Sequence, residues 1–196
     1  GERGQLGDGQ KEGGSKPHVV PGLEARAVAA GHNHAAAVTV NGEAVVWGKS
    51  MSLDLQEETS VAGQPLQDDQ LSPRLLDLPA AKEAVGVACS SHQVAVLTGD
   101  GEVFVAGMAE DTRAAVARPL PVEGMDRLHD TEGGVALLRR GFRRVLALTA
   151  RGGVHTVVLE ATRAYLEPAS PPPPEGMGRP VDVSTGWQHS LMVMSQ

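Results

Sequence analysis

The seven histidines are the residues of this chain best suited to hold a metal or move a proton. His32 and His34 form an H-x-H pair, and a strand would set both side chains on one side, as two ligands of one ion require. His18, His129 and His155 have no partner at ligand spacing. Cys89 is the single cysteine, which excludes an internal disulfide and any zinc site of several thiolates. It lies in the apolar stretch Val85 to Leu97 and is expected to be a buried, inert thiol. No G-x-S-x-G is present, and Gly4 to Gly9 lacks the Lys-Ser/Thr of a phosphate-binding loop. Glu57-Glu58 and Asp68-Asp69 stand among Gln and Ser, as solvated carboxylates do. Arg139, Arg140, Arg143 and Arg144 are the one basic cluster, either a patch for an acidic partner or exposed charge capping a hairpin. No catalytic residue, metal or cofactor is expected.

The elements that position these residues are short. Apolar types make up 41% of 196 residues, enough for a core, yet aromatics are only 3%, beside 24 glycines and 13 prolines. Such a balance favours many short elements joined by turns. Seventeen Lys and Arg against 24 Asp and Glu give a net charge of −7, which makes nucleic acid an improbable partner. No apolar run reaches the roughly 18 residues of a membrane span. Gly1-Glu2-Arg3-Gly4 has no apolar core of a signal peptide and no initiator Met, so a processed start or a piece of something longer is expected. The absence of disulfides suggests an intracellular setting of unread compartment.

Self-similarity sets the architecture. Val28 to Gly48 aligns without a gap on Val87 to Gly107, 59 residues on. Thr39 falls on Thr98, Asn41-Gly42 on Asp100-Gly101, Glu43 on Glu102, and Gly48 on Gly107. A third copy places Gly141 on Gly31, then Val145 to Thr149 as the apolar run and Arg151-Gly152 as the turn. A fourth begins at Val183, with Gly186 on Gly31 and His189 on His34. The copies are thus 59, 51 and 45 residues apart, as constant cores with variable loops would be. Each core reads as two short strands around a two-residue turn, and Asn-Gly and Asp-Gly suit type I′, with positive φ at both positions. Arg151 fits that turn poorly. The strands are continuously apolar and rich in Ala, so both faces are expected to be covered by closely packed neighbours. Hairpins of this kind recurring along a chain suggest the blades of a β-propeller.

These units resemble RCC1 repeats, of the regulator of chromosome condensation type, which build a seven-bladed propeller. Gly31, His34, Thr39, Asn41, Gly42, Trp47 and Gly48 carry the resemblance in the best copy, with Gly4-Gln5-Leu6-Gly7 as the tail of a preceding unit. The later copies depart from the pattern, with Ser90 for Gly, Gln93 for His and Ala106 for Trp in the second, and Arg144 for His and Val157 for Trp in the third. The resemblance implies that His34 and His189 hydrogen-bond within the blade, and that Gly31, His34, Asn41, Gly42, Trp47, Gly48, Asp100, Gly101, Gly107, Gly141, Gly152, Gly186 and His189 are structural repeat positions.

The expected organisation is a single partial propeller over 1–196. Residues 1–16 are the tail of a preceding unit plus a loop, 17–56 a unit, and 57–72 an acidic insertion. A second unit spans 73–110, a degenerate one 111–166, a Pro-rich spacer 167–180, and the start of the next unit 181–196. About 50 residues per unit would make a seven-bladed ring roughly twice this length. The remainder is therefore expected from the same protein or another chain. Among functions the family allows, the acidic balance and degenerate repeats favour a non-enzymatic protein-interaction scaffold within a larger assembly. The alternative is a guanine-nucleotide exchange factor or regulator of a small GTPase. A photoreceptor of the plant ultraviolet type would need a tryptophan cluster, and only Trp47 and Trp187 are present.

Overall fold

The computed structural model describes residues 2–49, 70–79, 82–141, 143–168, 176, 178–186 and 190–195. β1 (Ala25–Ala30), β2 (His34–Thr39), β3 (Ala44–Gly48) and β4 (Gln70–Leu75) form one antiparallel sheet. β5 (Ala84–Cys89), β6 (Gln93–Thr98), β7 (Val103–Met108) and β8 (Ala115–Pro121) form the second. A short helix, α1 (Met125–Glu132), leads to the third, made of β9 (Val135–Arg140), β10 (Val145–Thr149), β11 (Val154–Leu159) and β12 (Ala164–Pro168). β13 (Pro180–Thr185) and β14 (Ser190–Met194) pair as a two-stranded sheet. Strand order follows chain order in every sheet, so each is a meander and the whole is part of a β-propeller.

The alternating strand geometry explains why these apolar runs carry no polar face. In β6, Val94 and Val96 join Ala36, Val38 and Val46 in the core between the first two blades. Ala95 and Leu97, pointing the other way, join Val145, Ala147 and Val157 in the core between the second and third. One strand thus serves two cores, and all six of its residues are buried. Each fully buried valine contributes about 2 kcal/mol of transfer free energy. The alanines set the spacing, since larger side chains at Ala36, Ala88, Ala95 and Ala147 would hold the sheets apart.

A feature without any mark in the sequence repeats in all four sheets. The first strand of each carries one extra residue opposite its neighbour, at Arg26, Val85, Ala136 and Val181. These bulged residues are exposed, and the bulge increases local twist.

Three expectations change. The turns between the second and third strands of the three four-stranded blades are not type I′, because Asn41, Asp100 and Arg151 avoid positive φ and only Gly42, Gly101 and Gly152 adopt it, at +80°, +86° and +92°. Gly42 N–H donates to Thr39 C=O (3.0 Å) and Thr39 N–H to Glu43 C=O (2.9 Å), a three-residue loop whose last member is left-handed. The same pair of bonds recurs at Thr98 and Thr149, which explains how Arg151 is accommodated. Second, the strand closing the first blade is Gln70–Leu75, across the boundary between the expected insertion and the second unit. The rest of the insertion that lies in 57–69, and Pro171 to Pro174, fall outside the described residues. Third, α1 stands inside the degenerate unit, ended by Gly133 in the left-handed conformation at φ +76°.

Candidate interaction surface

The turns between the first two strands of each blade are built on one register position. In the first blade Gly31 N–H donates to His34 C=O at 2.8 Å, and the buried His34 ring places Nε2 3.3 Å from Gln93 C=O of the second blade. A Cβ on Gly31 would stand 2.2 Å from His34 Cε1 and 2.6 Å from Ser90 O, so glycine is required where the ring folds back. Burial is the main force lowering the His34 pKa to about 4. Beside it, Trp47 donates its indole N–H to Gln5 C=O at 3.0 Å, and Gly7 lies against the same ring. In the second blade Gln93 takes the histidine's place and its amide donates to Met108 C=O at 3.2 Å. Gly48 and Gly107, at φ +107° and +129°, close these two turns against the backbone. In the third blade, Arg144 donates to Glu110 Oε2 at 2.6 and 2.9 Å and to Glu167 Oε2 at 2.8 Å. Gly186 follows β13, whereas His189 lies outside the described residues.

The four arginines of the basic cluster divide. Arg139 makes a two-pronged pair with Asp182 of β13, at 2.7 and 3.3 Å, and this hydrogen bonding holds the Asp182 carboxyl below its usual range. Arg144 is committed as above. Arg140 is exposed, and its carbonyl accepts from Thr185 Oγ1 at 2.9 Å. Arg143 is exposed beside Arg113, a residue from the second blade that sequence spacing does not connect with it.

The histidine pair does not converge. His32 is exposed in the turn before β2, and His34 is buried. Among the described residues there is no group of three or more His, Cys, Asp and Glu able to hold a metal ion. His155 Nε2 is 2.8 Å from Glu132 Oε2, which also accepts from Thr149 Oγ1 at 3.1 Å, and this ties α1 to the third blade. Cys89 is fully buried and its thiol is pushed up to about 12 by that burial. No described helix is long and apolar enough to cross a membrane.

The model of the regulator of chromosome condensation (RCC1) repeat matches residues 1–38. The human E3 ubiquitin-protein ligase HERC2 is 29% identical over 168 residues, covering 79% of this chain and 3% of HERC2. Human RCC1 domain-containing protein 1 is 30% identical over 164 residues, covering 63% of this chain and 43% of its own length. The chain spans less than half the length of these curated relatives. Among solved structures, human WBSCR16 has a TM-score of 0.65 at 23% identity, covering 90% of this chain and 46% of that one. Prp20p from Saccharomyces cerevisiae, whose structure was described together with its binding to Gsp1p and histones, has 0.66 at 15%, covering 96% and 49%. Repeat register, blade topology and these likenesses agree: residues 1–38 match the RCC1 repeat, and the chain is similar to RCC1-repeat proteins in sequence and in its propeller fold.

Proposed function

We propose that the chain is a non-enzymatic protein-interaction scaffold, a domain or subunit of a larger assembly. The observation that carries this reading is how its polar side chains are distributed. His34, Gln93, Arg144, Arg139 and His155 are spent on holding strands and blades together. Exposed charge not spent in this way includes Lys49, Arg113 and Arg143, which lie in loops joining strands, where a partner can reach them. The repeat positions, from Gly31 and His34 to Gly152, serve the blades rather than a reaction.

Apolar side chains on the outer flanks support the same reading. Val28 on β1 is 74% exposed, and Leu191 and Val193 on β14 are 68% and 58% exposed. β14 has no partner on its second edge among the described residues. Bare apolar flanks of this kind fit further propeller, from the same protein or another chain, packed against them.

Regulation of a small GTPase is the second reading, favoured by the likeness in fold to Prp20p. One experiment separates the two. Native complexes carrying this chain are purified and weighed by light scattering, and their partners are then tested for release of bound guanine nucleotide. A scaffold yields a stable species well above 20.4 kDa without faster nucleotide release. A stable monomer sinks the scaffold reading, and accelerated release from a co-purifying GTPase promotes the second.

A further inference from the structure

Lys49, Arg113 and Arg143, with His92 and His32, come from three blades and gather around two adjoining cavities. The first, about 200 Å³, is lined by Asn33 and Lys49 of the first blade and by Ser91, His92, Met108 and Arg113 of the second. The second, about 310 Å³, shares Ser91, His92, Met108 and Arg113 and adds Arg143 of the third blade. His32 stands close enough to join Lys49 and Arg113 in acting on His92. Burial first, and then these neighbouring charges, hold His92 below its ordinary pKa.

What distinguishes Lys49, Arg113 and Arg143 is that they have no carboxylate partner among the described residues. Elsewhere in the molecule Lys82 lies between Asp100 and Glu102, Arg26 meets Glu83, and Arg163 meets Glu160. Lys49, Arg113 and Arg143 are exposed and have no ion pair among the described residues. Glu110, the one carboxylate lining either cavity, is committed through Oε2 to Arg144, and its Oε1 has no hydrogen-bond partner. Arg113 also holds φ +61°, the one non-glycine among the described residues with positive φ.

We propose that this cation-lined pair of cavities between the blades is a docking site for an acidic protein segment, with side-chain carboxylates seated against Lys49, Arg113 and Arg143. The site rests on the scaffold reading and gives it a location and a partner chemistry. Nucleic acid suits it less, because two small concavities and three free cations engage few phosphates, and the chain's net charge of −7 repels the rest of a polyanion. Carboxylates a few residues apart on one segment match two neighbouring cavities, and electrostatic complementarity would quicken encounter.

The test uses a fluorescent ten-residue peptide of alternating Glu and Ser, read by anisotropy against the whole chain at low salt. A labelled thymidine oligonucleotide of 20 bases serves as competitor. The variant combines Lys49→Gln, Arg113→Gly and Arg143→Gln, glycine being chosen because it accepts the positive φ at 113. The expected result is at least a tenfold loss of peptide affinity with an unchanged thermal midpoint, and no loss for Arg127→Gln on α1. If the triple variant fails to fold, Arg143→Gln alone must still weaken the peptide severalfold. Equal binding by wild type and variants, no binding by wild type, or tighter binding of the oligonucleotide overturns the site. Should the chain ignore the peptide yet still form stable complexes with other proteins, this site falls and the scaffold reading stands. Should it form no complexes, both fall.

Discussion

The first and third blades solve the same local problem with opposite chemistry. At one register position the first has His34, a buried neutral ring reaching forward to the Gln93 carbonyl of the next blade. The third has Arg144, which reaches back to Glu110 of the preceding blade and outward to Glu167 of its own. The opposing residue changes too. His34 faces Gly48, whose positive φ lets the end of β3 lie against the backbone of Asn33. Continuing the β10–β11 register, Arg144 faces Val158, a buried residue with ordinary backbone. A compact turn with a neutral bridge needs glycine opposite it, whereas a long guanidinium bridge leaves room for a side chain. The blade-to-blade connection is kept and its electrostatics are replaced.

The glycine half of that difference should give the largest effect. A Cβ at Gly107 would stand 2.3 Å from His92 O and 2.7 Å from Gln93 Cα, at φ +129°. Gly107→Ala is expected to cost about 4 kcal/mol by urea unfolding, combining the backbone penalty with a clash against main chain that cannot turn aside. Gly101→Ala keeps the positive φ, at +86°, but meets nothing within 4 Å. Its cost should be about 1 kcal/mol. Equal losses would mean that φ alone, and not the close approach, requires glycine in the first two blades.

The histidine half predicts a pH dependence that the third blade lacks. Burial holds the His34 pKa at about 4 in the folded chain, against the ordinary 6.5 of histidine. As pH falls, the unfolded chain takes up the proton first, so this contribution is complete above pH 6.5 and is lost on the way down to about 4. The loss amounts to about 3 kcal/mol. His34→Gln, which copies the residue at 93, should remove it. Wild-type stability would then fall by about 3 kcal/mol more than that of the variant between pH 7.5 and 4. Parallel curves would show that the ring is not held neutral by burial.

Repeat spacing made the blades legible, because Thr39 and Gly42 recur in phase as Thr98 and Gly101 and Gly31 recurs as Gly141, and the Ala- and Val-rich runs left no polar face to leave in water. What it missed was set by three-dimensional context. The bulges at Arg26, Val85, Ala136 and Val181 fall on residues of unlike type, since a bulge constrains backbone rather than side chain. The turns were misassigned because Asn-Gly serves both loop types, and the hydrogen bonds through Thr39 decide between them. Strand β4 lies beyond an insertion, and its Gln70-Leu71-Ser72-Pro73 has no alternation to mark it. Lys49, Arg113 and Arg143 come from three units, so no local motif could join them.

The smallest effect tests the charge at Arg144 itself. Its side chain is 35% exposed, and its partners Glu110 and Glu167 are 29% and 46% exposed, so solvent screens the pairs and their net contribution is modest. Arg144→Gln keeps a donor near Glu110 but removes the charge and the second bridge, with an expected loss of about 1 kcal/mol at low salt. Because the surviving attraction is electrostatic, the loss should shrink by half or more in 1 M sodium chloride, where the screening length is about 3 Å. His34→Gln measured at pH 7.5 should show no such salt dependence, its bond being between neutral groups. A loss at Arg144 that is large and indifferent to salt would make the guanidinium a packing element, and the contrast between the two blades would then be one of shape rather than of charge.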